Sequence, residues 1–406
     1  MFNERFKSHH DAERGYKHLL KQKMSNEKDL IDYLNTTVCT KKDNTIYIHI
    51  PFCDKICSFC NLNRQVKDKT LEEYVNNIII QIKNLSKTKY IKSANIGAIY
   101  FGGGTPTTLN HSQIENIIIA IKENFCLEDN VEITIETTLH NLTNEHINIF
   151  KKYNINRLSI GIQTFQDEGR KFFNRTYTKQ KTIEKLKNIR ETFNGCLSID
   201  KIYNYPNETL EMLSNDIENI IDLNIDSVSF YSLMIHNGSA LSKNTNIKYT
   251  NENDELFHNY FIDELRKSSN FEFLELTKLA RKNKDKYNYI KIRNSNGNTI
   301  PLGKGAGGQI DNYSIYIMNF EKTMVSYQES NLFESANKLY GIFQNTIIDK
   351  KEIICYNLES YLESLLNEGY LLENDNQFIL TNKGIFYGNN IGAFIVRNYL
   401  EKETSL

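Results

Sequence analysis

The chain has 406 residues, 49 Lys+Arg against 50 Asp+Glu, 40% hydrophobic residues and no Trp; at ~150 residues per domain this predicts two or three domains. A net charge of -1 lacks the basic excess of a nonspecific nucleic-acid binder, so no nucleic-acid partner is expected. No apolar run approaches the ~20 residues of a bilayer span, and the start Met1-Phe2-Asn3-Glu4-Arg5-Phe6-Lys7 carries no hydrophobic export segment, so the expectation is a cytoplasmic protein without a membrane span.

After an N-terminal extension (1–44), short apolar runs predict strands at 45–51, 96–101, 131–136, 157–162, 197–203 and 226–232. Helical spacing follows each of them, at 70–86, 111–125, 143–153, 178–193, 208–223 and 252–268. His111-Ser112 and Thr209 read as helix starts. Such serial units predict an α/β fold with a parallel sheet, either open or a full or partial barrel, over 45–240. Residues 241–335 lose the rhythm, turn Asn/Lys-rich, and end in a cluster of Gly303, Gly305, Gly307 and Gly308. Residues 336–406 form a small unit of their own, with Leu358, Leu362, Leu365 and Leu366 at helical spacing, Gly369 as helix stop and an alternating strand at 378–381. That pattern predicts a winged-helix-like appendage or a helical extension of the main domain.

Cys39, Cys126, Cys196 and Cys355 are scattered, as small core residues are in a reducing compartment. Cys53, Cys57 and Cys60 are not: they follow the first strand with the spacing Cys-x3-Cys-x2-Cys. Three thiolates on one loop suit a cubic iron–sulfur cluster with one iron left open. The alternative, zinc with His49 or a distant fourth ligand, favours paired ligand couples, and no second couple occurs. The second strand ends in Gly102-Gly103-Gly104-Thr105, bare backbone that a ligand can approach; the Gly-Lys-Ser/Thr of a phosphate loop is missing. Glu136, Gln163, Asp200 with Tyr203, and Met234 with His236 stand at later strand ends. The carboxyl-end rule for parallel sheets puts them on one rim with the cysteines.

The stretch Tyr47-Ile48-His49-Ile50-Pro51-Phe52-Cys53 through Cys60 resembles the radical S-adenosylmethionine enzymes and, within them, the oxygen-independent coproporphyrinogen oxidase-like group, closely over about 45–240. The resemblance implies a partial (βα)6 TIM-like barrel with extra C-terminal α+β elements. It implies a [4Fe-4S] cluster on Cys53, Cys57 and Cys60, whose open iron takes the amino and carboxylate groups of S-adenosylmethionine. It also implies S-adenosylmethionine contacts from Tyr47, Phe59, Gly103, Gly104, Thr105, Glu136, Gln163, Arg175, Asp200 and Met234, and a low-potential flavodoxin- or ferredoxin-type electron donor.

Leu62 stands where the family's coproporphyrinogen oxidases carry a further cysteine, and without Trp the chaperones' late His-Asn-x-x-Tyr-Trp-like element is not intact. Tyr287-Asn288-Tyr289, Ile300 through Gly308, and Ile235 through Leu241 resemble the anaerobic haem-degrading branch, the anaerobilin synthases, although Asn237 stands where proline is common. This branch implies haem as substrate, methylation and ring opening to a linear tetrapyrrole with iron release, and substrate contacts at His236, Lys304 and Gly305. The alternatives are a haem-binding chaperone and a coproporphyrinogen decarboxylase; the glycine cluster has the alternative of a tight turn. His9, His10, His49 and His236 are candidate iron ligands, and Lys304, Arg281 and Arg293 candidate propionate partners. No Cys-x-x-Cys-His attachment site occurs, so haem is expected as substrate. No catalytic acid or base is singled out.

Overall fold

In the computed structural model, which describes residues 1–243, 247, 250–268, 270–329 and 331–405, the predicted alternation folds as six parallel strands. They are β1 (Asn44–Ile50), β2 (Asn95–Gly103), β3 (Cys126–Thr137), β4 (Arg157–Gln163), β5 (Cys196–Tyr203) and β6 (Ser227–Ser232). They lie side by side in chain order. The helices Leu71–Leu85, His111–Asn124, Asn144–Lys152, Lys179–Thr192 and Leu210–Asp222 connect them. Ile46, Ile48 and Ile50 of β1 are fully buried, with Tyr47 and His49 on its opposite face, the near-continuous apolar pattern of a strand covered on both sides.

Helix starts follow side-chain capping. Asn110, one residue before the expected start, forms a capping box with Gln113, and Thr209 caps as expected by accepting from the Met212 amide.

The sheet continues at both edges, to 13 strands. β7 (Phe271–Glu275) and β8 (Lys278–Arg281) form a hairpin beside β6. On the other side β9 (Asn298–Leu302) runs parallel to β1, followed by the antiparallel strands β10 (Gly307–Ile310), β11 (Tyr313–Asn319) and β12 (Lys322–Tyr327). The N-terminal strand Lys23–Ser25 ends that edge. Residues of the 241–335 stretch thus join the barrel's own sheet. Between β8 and β9 the helix Asn288–Asn294 starts from a left-handed Tyr287 (φ 46°) and stacks Tyr289 on Tyr100, ring centroids 4.5 Å apart.

The barrel interior holds charge as well. Arg157 grips Asp285 with two nitrogens at 3.0 and 2.9 Å, and the two side chains are 2% and 0% exposed. The C-terminal elements run helix Leu332–Ile342, strand Ile347–Asp349, helices Lys350–Ile353 and Glu359–Asn367, strands Leu371–Glu373 and Gln377–Leu380. Their strands pair antiparallel, the winged-helix order, and Gly369 (φ 73°) ends its helix as expected. Helix Gly388–Ser405 packs on helix Leu332–Ile342 and on the N-terminal helix His9–Arg14. No helix among the described residues is long and apolar enough to cross a membrane.

Candidate functional site

Beyond β1, Pro51 leads into Phe52–Cys53, which pairs in parallel with Gln65–Val66 and closes the cysteine loop on itself. Ser58 donates to the Phe172 carbonyl (2.7 Å) and Asn174 to that of Ile56 (3.0 Å), which ties the loop to the 172–174 segment, and within the loop Arg64 donates to the Cys60 carbonyl (2.5 Å). The loop and the carboxyl ends of β2 to β5 enclose a cavity of about 210 Å³.

Cys53, Cys57 and Cys60 all line this cavity and carry no disulfide. Burial pushes the Cys53 thiol up to about 11 against the Thr105 hydroxyl, and Cys60 and Cys57 add to the rise. Burial also raises Cys60, opposed by the Leu62 backbone and Arg64. Crowded, half-desolvated thiols of this kind ionise when a bound metal supplies the positive charge. Among the described residues no three His, Cys, Asp or Glu side chains converge on a single-ion site. Arg175 donates to Cys57 Sγ at 2.9 Å and with its other nitrogen to the Gly161 carbonyl.

Ile50 lies opposite Gly103 in the ladder, and the Gly104 and Thr105 amides donate to the Ile50 and Phe52 carbonyls, both at 2.7 Å. A Cβ on Gly104 would lie 2.6 Å from the Phe52 oxygen, and one on Gly103 (φ 108°) 2.6 Å from the His49 ring. Gly104 is therefore demanded by the backbone of the cysteine strand, and Gly103 by its positive φ and the His49 ring.

Glu136 accepts from the Tyr100 hydroxyl (2.7 Å) and the Gly103 amide (3.1 Å). Burial raises its carboxyl to about 7, with Asp200 adding to the rise and these two donors opposing it. Asp200 is likewise raised by burial, against Lys278. At Gln163 the β4–β5 register slips and the backbone turns left-handed (φ 64°), and its Oε1 is buried without a hydrogen-bond partner among the described residues. Phe59 completes the wall and meets Phe173 edge-on at 5.4 Å. Paired donors, carboxylates, an orphaned amide oxygen and three thiols make a donor set that fits a metal–sulfur cluster with a polar, zwitterionic ligand beside it.

Other expected contacts fall elsewhere. Tyr47 stacks near Tyr100 (6.2 Å) and bonds His49 Nδ1 (3.0 Å), and Met234 is half-buried after β6; neither lines the cavity. Tyr203 was expected on the rim with Asp200, but residues an odd number apart on a strand face opposite ways, and its hydroxyl accepts from Arg5 (2.9 Å). His49 has both ring nitrogens engaged, by Tyr47 and by the Asn63 carbonyl (2.8 Å), which removes it as an iron ligand. Arg281 bonds the Ile225 and Ile221 carbonyls after and within helix Leu210–Asp222. Lys304 and Gly305 sit in a tight turn where the Gly303 amide donates to Gln81 (2.9 Å) and the Gly305 amide to Ile317 (2.7 Å). Neither lines a described cavity. Burial lowers the pKa of His236, with Asp11 opposing and His10 and Arg14 adding to the fall, and His236 lines no described cavity.

A second cavity of about 480 Å³ opens between helices His9–Arg14, Asn288–Asn294 and Leu332–Ile342 and strands β9 to β11. It brings together His9, His10 and Arg293. Each was a separate candidate in the sequence, and no local signal joins residue 9 to residue 293.

The radical SAM superfamily model matches residues 47–220. The heme chaperone HemW of Buchnera aphidicola subsp. Schizaphis graminum is 31% identical over 313 residues, 75% of this chain and 79% of that protein. The anaerobilin synthase of Escherichia coli O157:H7 is 27% identical over 307 residues, 74% and 67% of the two. Against the HemW of Lactococcus lactis the identity is 31% over 196 residues, and the match spans half of that protein (50%). The coproporphyrinogen III oxidase structure from Escherichia coli shares the fold, with a TM-score of 0.78 at 19% identity over 93% of this chain and 95% of that one.

Proposed function

The chain belongs to the radical S-adenosylmethionine superfamily, in the group of haem chaperones, coproporphyrinogen oxidases and anaerobilin synthases, and from that premise we propose that it degrades haem without oxygen, methylating and opening the macrocycle to a linear tetrapyrrole with release of iron. Its cofactors are those of the superfamily, a [4Fe-4S] cluster and S-adenosylmethionine. Together, when bound, these supply reductive cleavage of a sulfonium, fed by a low-potential flavodoxin- or ferredoxin-type donor.

In this reading Cys53, Cys57 and Cys60 hold the cluster and leave one iron free for the amino acid end of S-adenosylmethionine. Arg175, already forked between Cys57 and Gly161, pairs the carboxylate. Gly103, Gly104 and Thr105 offer backbone to the amino group. Glu136 and Asp200 accept from ribose hydroxyls, and the vacant Oε1 of Gln163 takes a further donor. Phe59 lies against adenine; with Phe173, Tyr205, Leu233 and Leu241, which cluster beside it, it keeps water from the reacting end. Tyr47 and Met234, also assigned to S-adenosylmethionine by the resemblance, lie outside this cavity.

The observation that carries the proposal is the complete ring of Arg175, Glu136, Gln163 and Asp200 around three thiols in one cavity, in a chain similar to an anaerobilin synthase over 74% of its length. A second reading, a haem chaperone, is favoured by the higher identity to two such proteins, 31% each against 27% for the anaerobilin synthase. Anaerobic incubation of the reconstituted protein with haem, S-adenosylmethionine and a chemical reductant separates the two. Loss of the Soret band with a new linear-tetrapyrrole mass is the expected result; unchanged bound haem favours the carrier. Coproporphyrinogen losing two carboxyl groups in the same assay favours the decarboxylase. Cys57→Ala should abolish both cluster absorbance and turnover, and full activity in that variant overturns the radical assignment.

A further inference from the structure

The two cavities share no lining residue. A tyrosine layer stands between them: Tyr100 bonds Glu136 in the thiol cavity, Tyr289 stacks on Tyr100 at 4.5 Å, and the Arg293 guanidinium lies over Tyr289 at 5.6 Å on the side of the second cavity. At about 480 Å³ the second cavity falls within the ~300–1,000 Å³ typical of sites for drug-sized ligands.

We propose that this second cavity is a holding site for an iron porphyrin, with His9 as axial ligand and Arg293 as partner of a propionate. The proposal rests on the haem reading above and adds a place for haem apart from the thiols. His9 is set up as a ligand: Nδ1 lies 3.3 Å from the Tyr340 hydroxyl and the two rings meet edge-on. This fixes one nitrogen and leaves Nε2, for which no partner occurs among the described residues, the arrangement metal-binding histidines adopt. His10 is unsuited, being 86% exposed and 3.8 Å from Glu13. Glu13, the carboxylate among the described lining residues, is paired with Lys17 at 2.7 Å, and the buried Glu275 acts on His9 from outside the lining. Arg293 forms no ion pair among the described residues and presents a planar donor fork of the kind carboxylates pair with.

The macrocycle has an apolar face to lie on. Ser314 lines the cavity, and Tyr316 and Met318 follow it on the same face of β11. Met324 of β12 stands opposite Tyr316. These three are 40–44% exposed, an uncovered aromatic and thioether surface continuous with the cavity wall.

The test is titration of the reconstituted full-length protein with haemin and, separately, with iron-free protoporphyrin, read by the Soret band and by tyrosine fluorescence quenching. His9→Ala is expected to weaken haemin at least tenfold and leave protoporphyrin unchanged. His9→Tyr should restore binding with a shifted Soret band, which a merely structural histidine does not produce. Arg293→Gln should weaken both porphyrins, and His10→Ala neither. Wild-type haemin affinity and spectrum in the His9 and Arg293 variants, cluster content being equal, overturns the site and leaves the haem reading standing. No haemin binding and no turnover by the wild type removes both.

Discussion

Glu136 should make the ligand-free protein lose stability as pH rises through the acid-to-neutral range. Its carboxyl moves from 4.5 to about 7, first by burial and then by Asp200, against the Tyr100 and Gly103 donors. Between those two pH values the unfolded chain has released the proton and the folded chain has kept it. The unfolded state therefore binds fewer protons, and unfolding grows easier with pH. At ~1.36 kcal/mol per pH unit the full effect is about 3 kcal/mol above pH 7, an upper figure because the carboxyl reaches cavity water. Glu136→Gln does not titrate, so its stability relative to wild type should climb by up to about 3 kcal/mol from pH 4.5 to 7.5, on top of a constant offset of about 1 kcal/mol for altered hydrogen bonds. Urea unfolding of both proteins, followed by circular dichroism at four pH values across the window, measures the difference and cancels the other carboxyls. A difference that is flat with pH, or that falls, would refute burial as the control on this group.

Gly104→Ala should both destabilise the protein and empty the thiol site. The new Cβ meets the Phe52 oxygen at 2.6 Å, the Pro51 carbon at 2.8 Å and the Ile50 oxygen at 2.9 Å, all main chain, so the glycine run must move at a cost of about 1–3 kcal/mol and drag Cys53 with it. Iron and sulfide per chain, measured alongside urea unfolding, check this; full iron with unchanged stability contradicts it. Asp285→Asn strips the buried Arg157 of its counter-charge and should cost about 3–5 kcal/mol. A denaturation midpoint within the error of wild type would show that Arg157 has found another partner.

Periodicity carried the six βα units because each short strand with buried apolar positions is separated from the next by a helical period; β2, for example, has eight consecutive buried residues. It missed β11 because that strand is covered on one face only. β11 alternates buried Ile315 and Ile317 with exposed Tyr316 and Met318, and such a half-covered strand is defined by its partners, β10 and β12. The same distinction sorts the site. That Cys53, Cys57 and Cys60 meet in one cavity was legible because three thiols share one loop, and that Glu136 and Asp200 join them because strand ends of a parallel sheet share one rim. Tyr203 was misassigned because a strand end has two faces, and only the packing of Arg5 tells which one it takes.

What the residues alone determined, then, is whatever depends on near neighbours in the chain: spacing of thiols, glycines that no Cβ can replace, and helices begun by a capping side chain. Folding in three dimensions decided the rest. It set the backbone contacts that hold Gly103 and Gly104 against the cysteine strand, the tyrosine layer dividing two cavities, and the meeting of His9 with Arg293. Residues hundreds of positions apart come together through burial summed over the whole sheet, and no short window of sequence encodes that sum.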